Sequence, residues 1–137
     1  MLLITKDDYR KILDSAVKEL PNEACGLIAG VIENGVKVVK EVYFLTNADA
    51  SNEHFSMKPE EQLAAIKDMR KKGYTMFGNW HSHPESPSRP SEEDKRLAHD
   101  PGADYLILSL QDREHPVLNA FRIKNHTEVS KEEIQYE

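Results

Sequence analysis

Two histidines and an aspartate are the residues of this chain whose types and spacing best suit chemistry. His81 and His83 are separated by one residue and follow an apolar, aromatic run, residues 74–80, which predicts a strand entering the core. Residues i and i+2 of a strand point to the same face, so the two imidazoles face one point. Prolines then turn the chain before Asp94. Two imidazoles and one carboxylate suit zinc, and three protein ligands leave the fourth position of a catalytic site open.

Each part of this set also has a simpler explanation. Paired histidines on a strand are more often solvated or packed than bound to a metal. Ser91 with Asp94 fits the capping box S-x-x-D at the start of a helix. The combination is harder to explain without a metal, because two same-face histidines precede the turn and a carboxylate follows it. We therefore predict a metal site, with which a capping role of Ser91 is compatible.

Glu23 is a second carboxylate that the pattern singles out. It stands just before residues 24–32, a run of small and apolar residues that predicts a strand in the middle of a sheet. Glu23 is either an exposed acid at a junction between helix and strand, or a carboxylate beside the metal. Its separation from His81 along the chain leaves both interpretations open.

Hydrophobic spacing and turn residues predict the elements that must position these side chains. Helices are predicted over 5–20, 59–72 and 91–99, and strands over 24–32, 36–45, 74–80, 104–110 and 117–123. The pair Asn34-Gly35 predicts a two-residue hairpin turn. Residues 46–58 are polar and predict a loop, and the tail K-E-E-I-Q-Y-E is expected to pair weakly or be loose.

The same spacing predicts which side chains are buried and which are not. The core side chains expected on the first two helices and on strand 36–45 include Val17, Leu63, Ile66, Met69, Val36, Val38, Val42 and Phe44. Four histidines have no spacing to a partner and are expected at the surface or in a loop, namely His54, His99, His115 and His126.

Composition indicates one globular domain over residues 1–137, since 39% of them are hydrophobic and 31% charged. The net charge of −6 argues against nucleic-acid binding, which needs clustered lysines and arginines. No apolar run reaches the length of a membrane span, and the N-terminus lacks the features of a signal peptide. Because Cys25 is the only cysteine, no internal disulfide can form, and we expect a cytoplasmic protein.

Taken together, these residues resemble the JAMM, or MPN-plus, metallopeptidases. That family has an upstream glutamate, then H-[ST]-H-P, seven residues, and S-x-x-D, and H-S-H-P-E-S-P-S-R-P-S-E-E-D matches it without a gap. The resemblance covers nearly the whole chain. The segments P-N-E-A-C-G-L-I-A-G, P-S-R-P-S and D-P-G-A-D-Y-L-I-L-S-L are most similar to compact bacterial members, which remove cysteine or another amine from the Gly-Gly tail of ubiquitin-like sulfur carriers.

The resemblance implies a fold and a role for each residue. The fold is a single α/β domain in which a curved mixed β-sheet is flanked by helices, as in cytidine deaminases. Zn²⁺ would be held by His81, His83 and Asp94. Glu23 would be the general base that acts on the attacking water, and Ser91 would donate a hydrogen bond to the developing oxyanion.

The resemblance also implies a partner, a small ubiquitin-like sulfur-carrier protein whose extended Gly-Gly tail could bind beside an exposed strand. One alternative is a deubiquitinase-like isopeptidase, although eukaryotic members of that kind carry insertions for which 137 residues leave little room. Another alternative is a non-catalytic MPN scaffold, but such relatives lack the ligands that this chain keeps. A zinc deaminase would need P-C-x-x-C, which a single cysteine excludes. Homodimer formation stays open.

Overall fold

The backbone is organised around one mixed sheet of eight strands. The computed structural model describes all 137 residues. In chain order the elements are β1 (Leu2–Ile4), α1 (Lys6–Glu19), β2 (Cys25–Glu33), β3 (Val36–Leu45), α2 (Pro59–Lys72), β4 (Thr75–His83), α3 (Glu92–Arg96), β5 (Asp104–Ser109), β6 (Val117–Lys124), β7 (Glu128–Glu132) and β8 (Ile134–Tyr136). None of the helices is long and apolar enough to cross a membrane.

The strand that carries the two histidines lies in the middle of this sheet. The spatial order is β7-β6-β5-β4-β2-β3-β1-β8. β4 pairs antiparallel with β2 and parallel with β5, so both of its edges are hydrogen-bonded. Only β7 and β8 are edge strands, and no exposed strand edge lies beside the histidines. The expected curved mixed sheet flanked by helices is confirmed.

The helices divide between the two faces of the sheet. Ile12 and Ala16 of α1 pack on one face, in the larger core that contains Trp80. Ala65 and Met69 of α2 pack on the other face, in a smaller cluster. Side chains alternate along a strand, so the histidines on either side of Ser82 share the face of α2. That face is less completely covered, which leaves room for a site.

Local signals in the sequence explain where several elements begin and end. The hydroxyl of Thr5 accepts a hydrogen bond from the backbone N–H of Asp8 and caps α1. α2 ends at Gly73, whose φ of 75° is left-handed. The hairpin between β2 and β3 turns at Asn34 and Gly35, with φ of 51° and 79°. The predictions for α2, β3 and this hairpin are confirmed.

The structure differs from the predicted elements at the N-terminus and in the third helix, and it decides between the two outcomes left open for the tail. The strand β1 was not predicted, because three residues are too few to display a period. Of the two outcomes left open for the tail, pairing is the one observed: the tail forms β8, which pairs in parallel with β1, a strand far away in the sequence. The third helix ends at Arg96 and not at residue 99, because Ala98 N–H donates to Lys95 O in a tighter turn and Pro101 disfavours helix in the residue before it.

Some predicted core residues are also exposed. Val17 and Leu63 are 51% and 53% exposed, because they lie at the margins of the apolar stripes of their helices. Phe44 is 45% exposed: its ring makes a T-shaped contact with Trp80, but its partner across the sheet is a glycine, which has no side chain to cover it. A bulge between Ala29 and Gly30 shifts the register, so Val39 is buried as well as Val38.

The central strands pack so closely at Gly26 that there is no room for a side chain. A Cβ at this position would lie 1.7 Å from Tyr43 O and 2.3 Å from Trp80 Nε1, two atoms that are already joined by a hydrogen bond of 3.0 Å. We expect Gly26→Ala to lower the free energy of unfolding by about 2 kcal/mol or more, measured by urea denaturation. The control is Gly102→Ala, where the nearest atom is 3.4 Å away. Equal stabilities of the two variants would contradict this packing.

Candidate metal centre

Three side-chain atoms meet at the C-terminal end of β4. His81 Nε2 lies 3.1 Å from His83 Nε2, and Asp94 Oδ2 lies 3.2 Å and 3.1 Å from these two nitrogens. Ligand atoms around one tetrahedral zinc, with bonds of about 2.0–2.2 Å, stand about 3.3 Å apart. The structure therefore brings together the three predicted ligands, and their donor set and spacing fit a single zinc ion.

A backbone carbonyl fixes the ring of His83. The Nδ1–H of His83 donates to Pro87 O at 2.9 Å, which leaves the lone pair of Nε2 directed at the meeting point. The carbonyl is itself held in place, because Ser88 in the same loop donates its hydroxyl to Ile107 O on β5 at 2.6 Å. The proline-rich loop thus orients a predicted ligand as well as turning the chain.

The ring of His81 is held differently. Its Nδ1 is buried and has no hydrogen-bond partner. The imidazole is stacked on Phe55, with 4.6 Å between ring centroids and 29° between planes. Phe55 lies in the loop between β3 and α2, where Asn47 donates to Glu23 O and to His54 O, each at 3.1 Å. Phe55 was missed at the sequence level, since an aromatic residue in a polar loop does not indicate which ring it contacts.

Ser91 and Asp94 form the predicted capping box. The N–H of Ser91 donates to Asp94 Oδ2 at 2.9 Å, and the N–H of Asp94 donates to Ser91 Oγ at 3.0 Å. The carboxylate oxygen that faces the two imidazoles is therefore also held by the start of α3. Because the Ser91 oxygen acts as an acceptor here, its hydroxyl proton stays free to donate to another group.

Hydrogen bonds and neighbouring charges in the centre shift the pKa values of Asp94 and His83. Burial alone would raise the pKa of Asp94, but hydrogen bonds from His81, His83 and Ser91 N–H hold that pKa far below its usual range. Burial lowers the pKa of His83, but its bonds to Asp94 and to the Pro87 carbonyl outweigh burial and raise the pKa. In the metal-free protein the centre therefore holds a carboxylate beside a proton-binding imidazole, and an ion that binds there releases protons.

Glu23 reaches the centre through the pairing of β2 with β4. Cys25 is paired with His81, and Ala24 N–H donates to Ser82 Oγ at 2.8 Å while Ser82 N–H donates to Ala24 O at 3.0 Å. This register brings Glu23 level with His83. Non-local strand pairing, which the sequence spacing could not indicate, is thus what joins the upstream glutamate to the histidines.

The carboxyl group of Glu23 is buried and incompletely bonded. Glu23 is only 3% exposed, and its Oε1 has no hydrogen-bond partner. Burial raises the pKa of Glu23 to about 8, opposed by the charge of His83 and reinforced by the charge of Asp94. Of the two interpretations of Glu23, the exposed acid is wrong, and the carboxylate beside the three converging side chains agrees with the geometry.

The remaining candidate side chains lie outside the centre. Burial raises the pKa of Cys25 to about 12, so this residue is a protonated thiol that packs in the sheet. His54 pairs with Asp49 in the loop, while the other three histidines are exposed, and none of the four belongs to the metal cluster.

A cavity of about 220 Å³ opens beside the metal centre, between α2 and α3, and it is called here the interhelical cavity. Its walls include His81 and Asp94 themselves, and six of its eleven lining residues are apolar. The lining also includes Met57, Gln62, Asn79, Leu97, Tyr105, Ile107 and Ile123. The centre is therefore accessible from one side, next to a mostly apolar space.

Comparisons with known sequences and structures found several proteins similar to this chain. Residues 5–124 match the family described as prokaryotic homologs of the JAB domain. Over 123 residues the chain is 29% identical to the CysO-cysteine peptidase of Mycobacterium bovis, covering 90% of this chain and 83% of that protein. It is 32% identical over 97 residues to a desampylase of Haloferax volcanii, covering 70% and 68%. The solution structure of a protein from Desulfitobacterium hafniense is similar over 100% of this chain and 93% of its own, with 51% identity and a TM-score of 0.91.

The stacking of Phe55 on His81 should support metal affinity. We expect Phe55→Ala to weaken zinc binding about 10-fold, because the imidazole then has neither a stacking partner nor a bond at Nδ1. Competition with a chromophoric chelator would measure the affinity. Phe44→Ala is the matched control, since that ring contacts Trp80 and not the centre. His83→Ala should abolish stoichiometric binding, and equal affinities for the Phe55 and Phe44 variants would contradict the role of Phe55.

Metal-free protein should lose stability as pH rises from about 5 to 8. In this range folded Glu23 keeps a proton, since its pKa is raised to about 8, whereas the unfolded chain has released it. The folded state then binds more protons than the unfolded state, so the free energy of unfolding falls with pH. Denaturation of metal-free Glu23→Gln should give a shallower fall and a more stable protein at pH 8. Identical pH profiles would show that Glu23 is not buried as a neutral acid.

Proposed function

Because this chain belongs to the family of prokaryotic JAB-domain proteins, and is thus a JAMM-type hydrolase, we propose that it is a zinc peptidase acting on ubiquitin-like sulfur-carrier proteins. It would cleave the amide or isopeptide bond after the C-terminal Gly-Gly and release cysteine or another amine. The observation that carries this proposal is the buried, unpartnered carboxyl oxygen of Glu23 beside the three converging ligand atoms.

In this proposal His81, His83 and Asp94 hold zinc, and the interhelical cavity admits the substrate to its open side. When bound, zinc supplies the Lewis acidity that polarises the scissile carbonyl and makes water nucleophilic at neutral pH. The bonds from His83 Nδ1–H to Pro87 O and from Ser91 N–H to Asp94 Oδ2 keep the ligand atoms oriented. Such preorganised ligands do not have to rearrange during turnover.

Glu23 acts as the general base and then the general acid. A cation beside it lowers the pKa of its carboxyl group, so the group is ionised in the zinc-loaded protein at neutral pH. Oε1 has no partner within the protein and is free to accept a proton from the attacking water. The same carboxyl group then passes the proton to the leaving amine, which departs neutral.

Ser91 stabilises the oxygen of the tetrahedral intermediate. Its Oγ accepts the Asp94 N–H, so the hydroxyl proton can be directed at the substrate. The backbone bond at the start of α3 fixes the position of this donor before the substrate arrives. A donor of this kind typically contributes about 100-fold or more to the rate.

Two features support a small carrier as substrate rather than linked ubiquitin. The peptidase and the desampylase among the relatives support a ubiquitin-like carrier joined to cysteine or to another amine. Within this chain, the loop from 84 to 90 is tied to the sheet by Ser88 and to His83 by Pro87, so it cannot extend to contact a second ubiquitin.

The pairing of β4 limits how the tail of the carrier can bind. Because β4 is paired on both sides, the tail must cross the face of the sheet and cannot add to β4 as a further strand.

The proposal is tested by offering zinc-loaded protein two substrates, a Gly-Gly sulfur carrier extended by one cysteine and a linked di-ubiquitin. Mass spectrometry should show loss of the cysteine from the carrier, while di-ubiquitin stays intact. Glu23→Gln should retain zinc and lose about 100-fold or more in rate, because it keeps the size of the side chain without the proton acceptor.

The outcome of this assay separates the alternatives. Rapid cleavage of di-ubiquitin with the carrier untouched would identify a deubiquitinase-like isopeptidase. A zinc-loaded protein that cleaves neither substrate would agree with a non-catalytic scaffold. Normal turnover by Glu23→Gln would remove Glu23 from the mechanism.

A further inference from the structure

Asn79 carries a polar side chain that has no role in the proposed hydrolysis. It lies two residues before His81 on β4 and therefore on the same face. Its Oδ1 is buried and has no hydrogen-bond partner, although the residue lines the interhelical cavity. An unpaired buried carbonyl oxygen costs about 1–3 kcal/mol, so a partner that is absent from the free protein is the simplest explanation.

The rest of the cavity shows what kind of partner fits. The apolar walls around Asn79 are formed by Leu97, which directly follows α3, by Tyr105 and Ile107 of β5, and by Ile123 of β6. The polar side chain of Gln62 is already used, since it donates to Met57 O at 3.0 Å. Leu97 is 53% exposed at the rim, so the cavity opens to solvent. A volume of about 220 Å³ holds one apolar side chain of moderate to large size together with part of its backbone.

The position of Glu23 indicates which half of the substrate enters the cavity. If Glu23 protonates the leaving amine, that amine must depart on the side of His83, with which Glu23 is level. Asn79 lies in the opposite direction along β4, where it pairs with Leu27 and Tyr105. The cavity therefore receives the acyl half, which is the tail of the carrier. This step rests on the proposed function.

The spacing along β4 then indicates which residue of the tail reaches Asn79. An extended chain advances about 3.3 Å per residue, so His81 and Asn79 are separated by about 6.6 Å. Two glycines span the same distance. We propose that Asn79 and the interhelical cavity form a specificity subsite for the residue that precedes Gly-Gly. The side chain of that residue enters the apolar walls, and its backbone pairs with the amide of Asn79, which offers both a donor and an acceptor.

Carriers that differ only at this residue test the apolar part of the subsite. The series ends in X-Gly-Gly-Cys, with X as leucine, alanine or aspartate, and kcat/KM is measured for each. We expect leucine to exceed alanine by about 10-fold or more, and aspartate to be the poorest substrate, because its charge would be desolvated. Equal values for all three carriers would overturn the subsite while leaving the proposed function intact.

Asn79→Ala tests the polar part. It should retain zinc and lower kcat/KM for the leucine carrier by about 10-fold, mainly through KM. Replacing the backbone N–H of X by an ester oxygen should lower kcat/KM for the wild type but hardly change it for Asn79→Ala, since the two changes remove one bond. Gln135→Ala is the matched control, an exposed amide on β8. Additive losses would overturn the pairing with Asn79.

A binding measurement keeps the subsite testable when no carrier is cleaved. A synthetic peptide ending in Leu-Gly-Gly is titrated into zinc-loaded protein with labelled methyl groups. We expect the methyl resonances of Leu97, Ile107 and Ile123 to shift, and the shifts to require a higher peptide concentration in Asn79→Ala. Unchanged resonances would overturn the subsite. Shifts without cleavage of any Gly-Gly substrate would support the subsite and contradict the proposed hydrolysis.

Discussion

The pairing of β4 with a strand on each side is the constraint on which the rest of the centre depends. Hydrogen bonds to β2 and β5 fix the backbone of His81 and His83, so both side chains leave the sheet on the same face. The same pairing with β2 brings Glu23 level with His83, and pairing with β5 positions Ile107, whose carbonyl anchors the proline-rich loop. One set of backbone bonds thus positions two of the proposed ligands, the proposed base and the loop that orients His83.

Local rules made much of this centre predictable from the sequence. A period of two residues fixes the shared face of His81 and His83, and a capping box fixes the relation of Ser91 to Asp94, since both patterns act over a few residues. The stack of Phe55 on His81 and the cavity around Asn79 depend instead on which segments meet in space. No local pattern indicates those contacts, and for the same reason the sequence did not indicate that the tail would pair with β1.

The short helix α3 shows how stability and chemistry share one contact. Five residues are too few for a stable helix in isolation, because the free-energy cost of helix nucleation exceeds the stabilisation from so few hydrogen bonds. The box formed by Ser91 and Asp94 is therefore a large part of what keeps this turn helical. Because Asp94 is also one of the three converging ligands, an ion bound there would stabilise the helix, and loss of the helix would loosen the ion.

The buried state of Cys25 has a consequence for chemistry with free thiols. Disulfide exchange proceeds through a thiolate, and the pKa of about 12 leaves Cys25 almost entirely protonated at neutral pH. The residue is also 1% exposed, so an external disulfide cannot approach its sulfur. If the released amine is cysteine, neither this product nor its oxidised form, cystine, would exchange with the nearby protein thiol. Burial thus prevents disulfide exchange at the one thiol of the chain, which lies two residues from the proposed base.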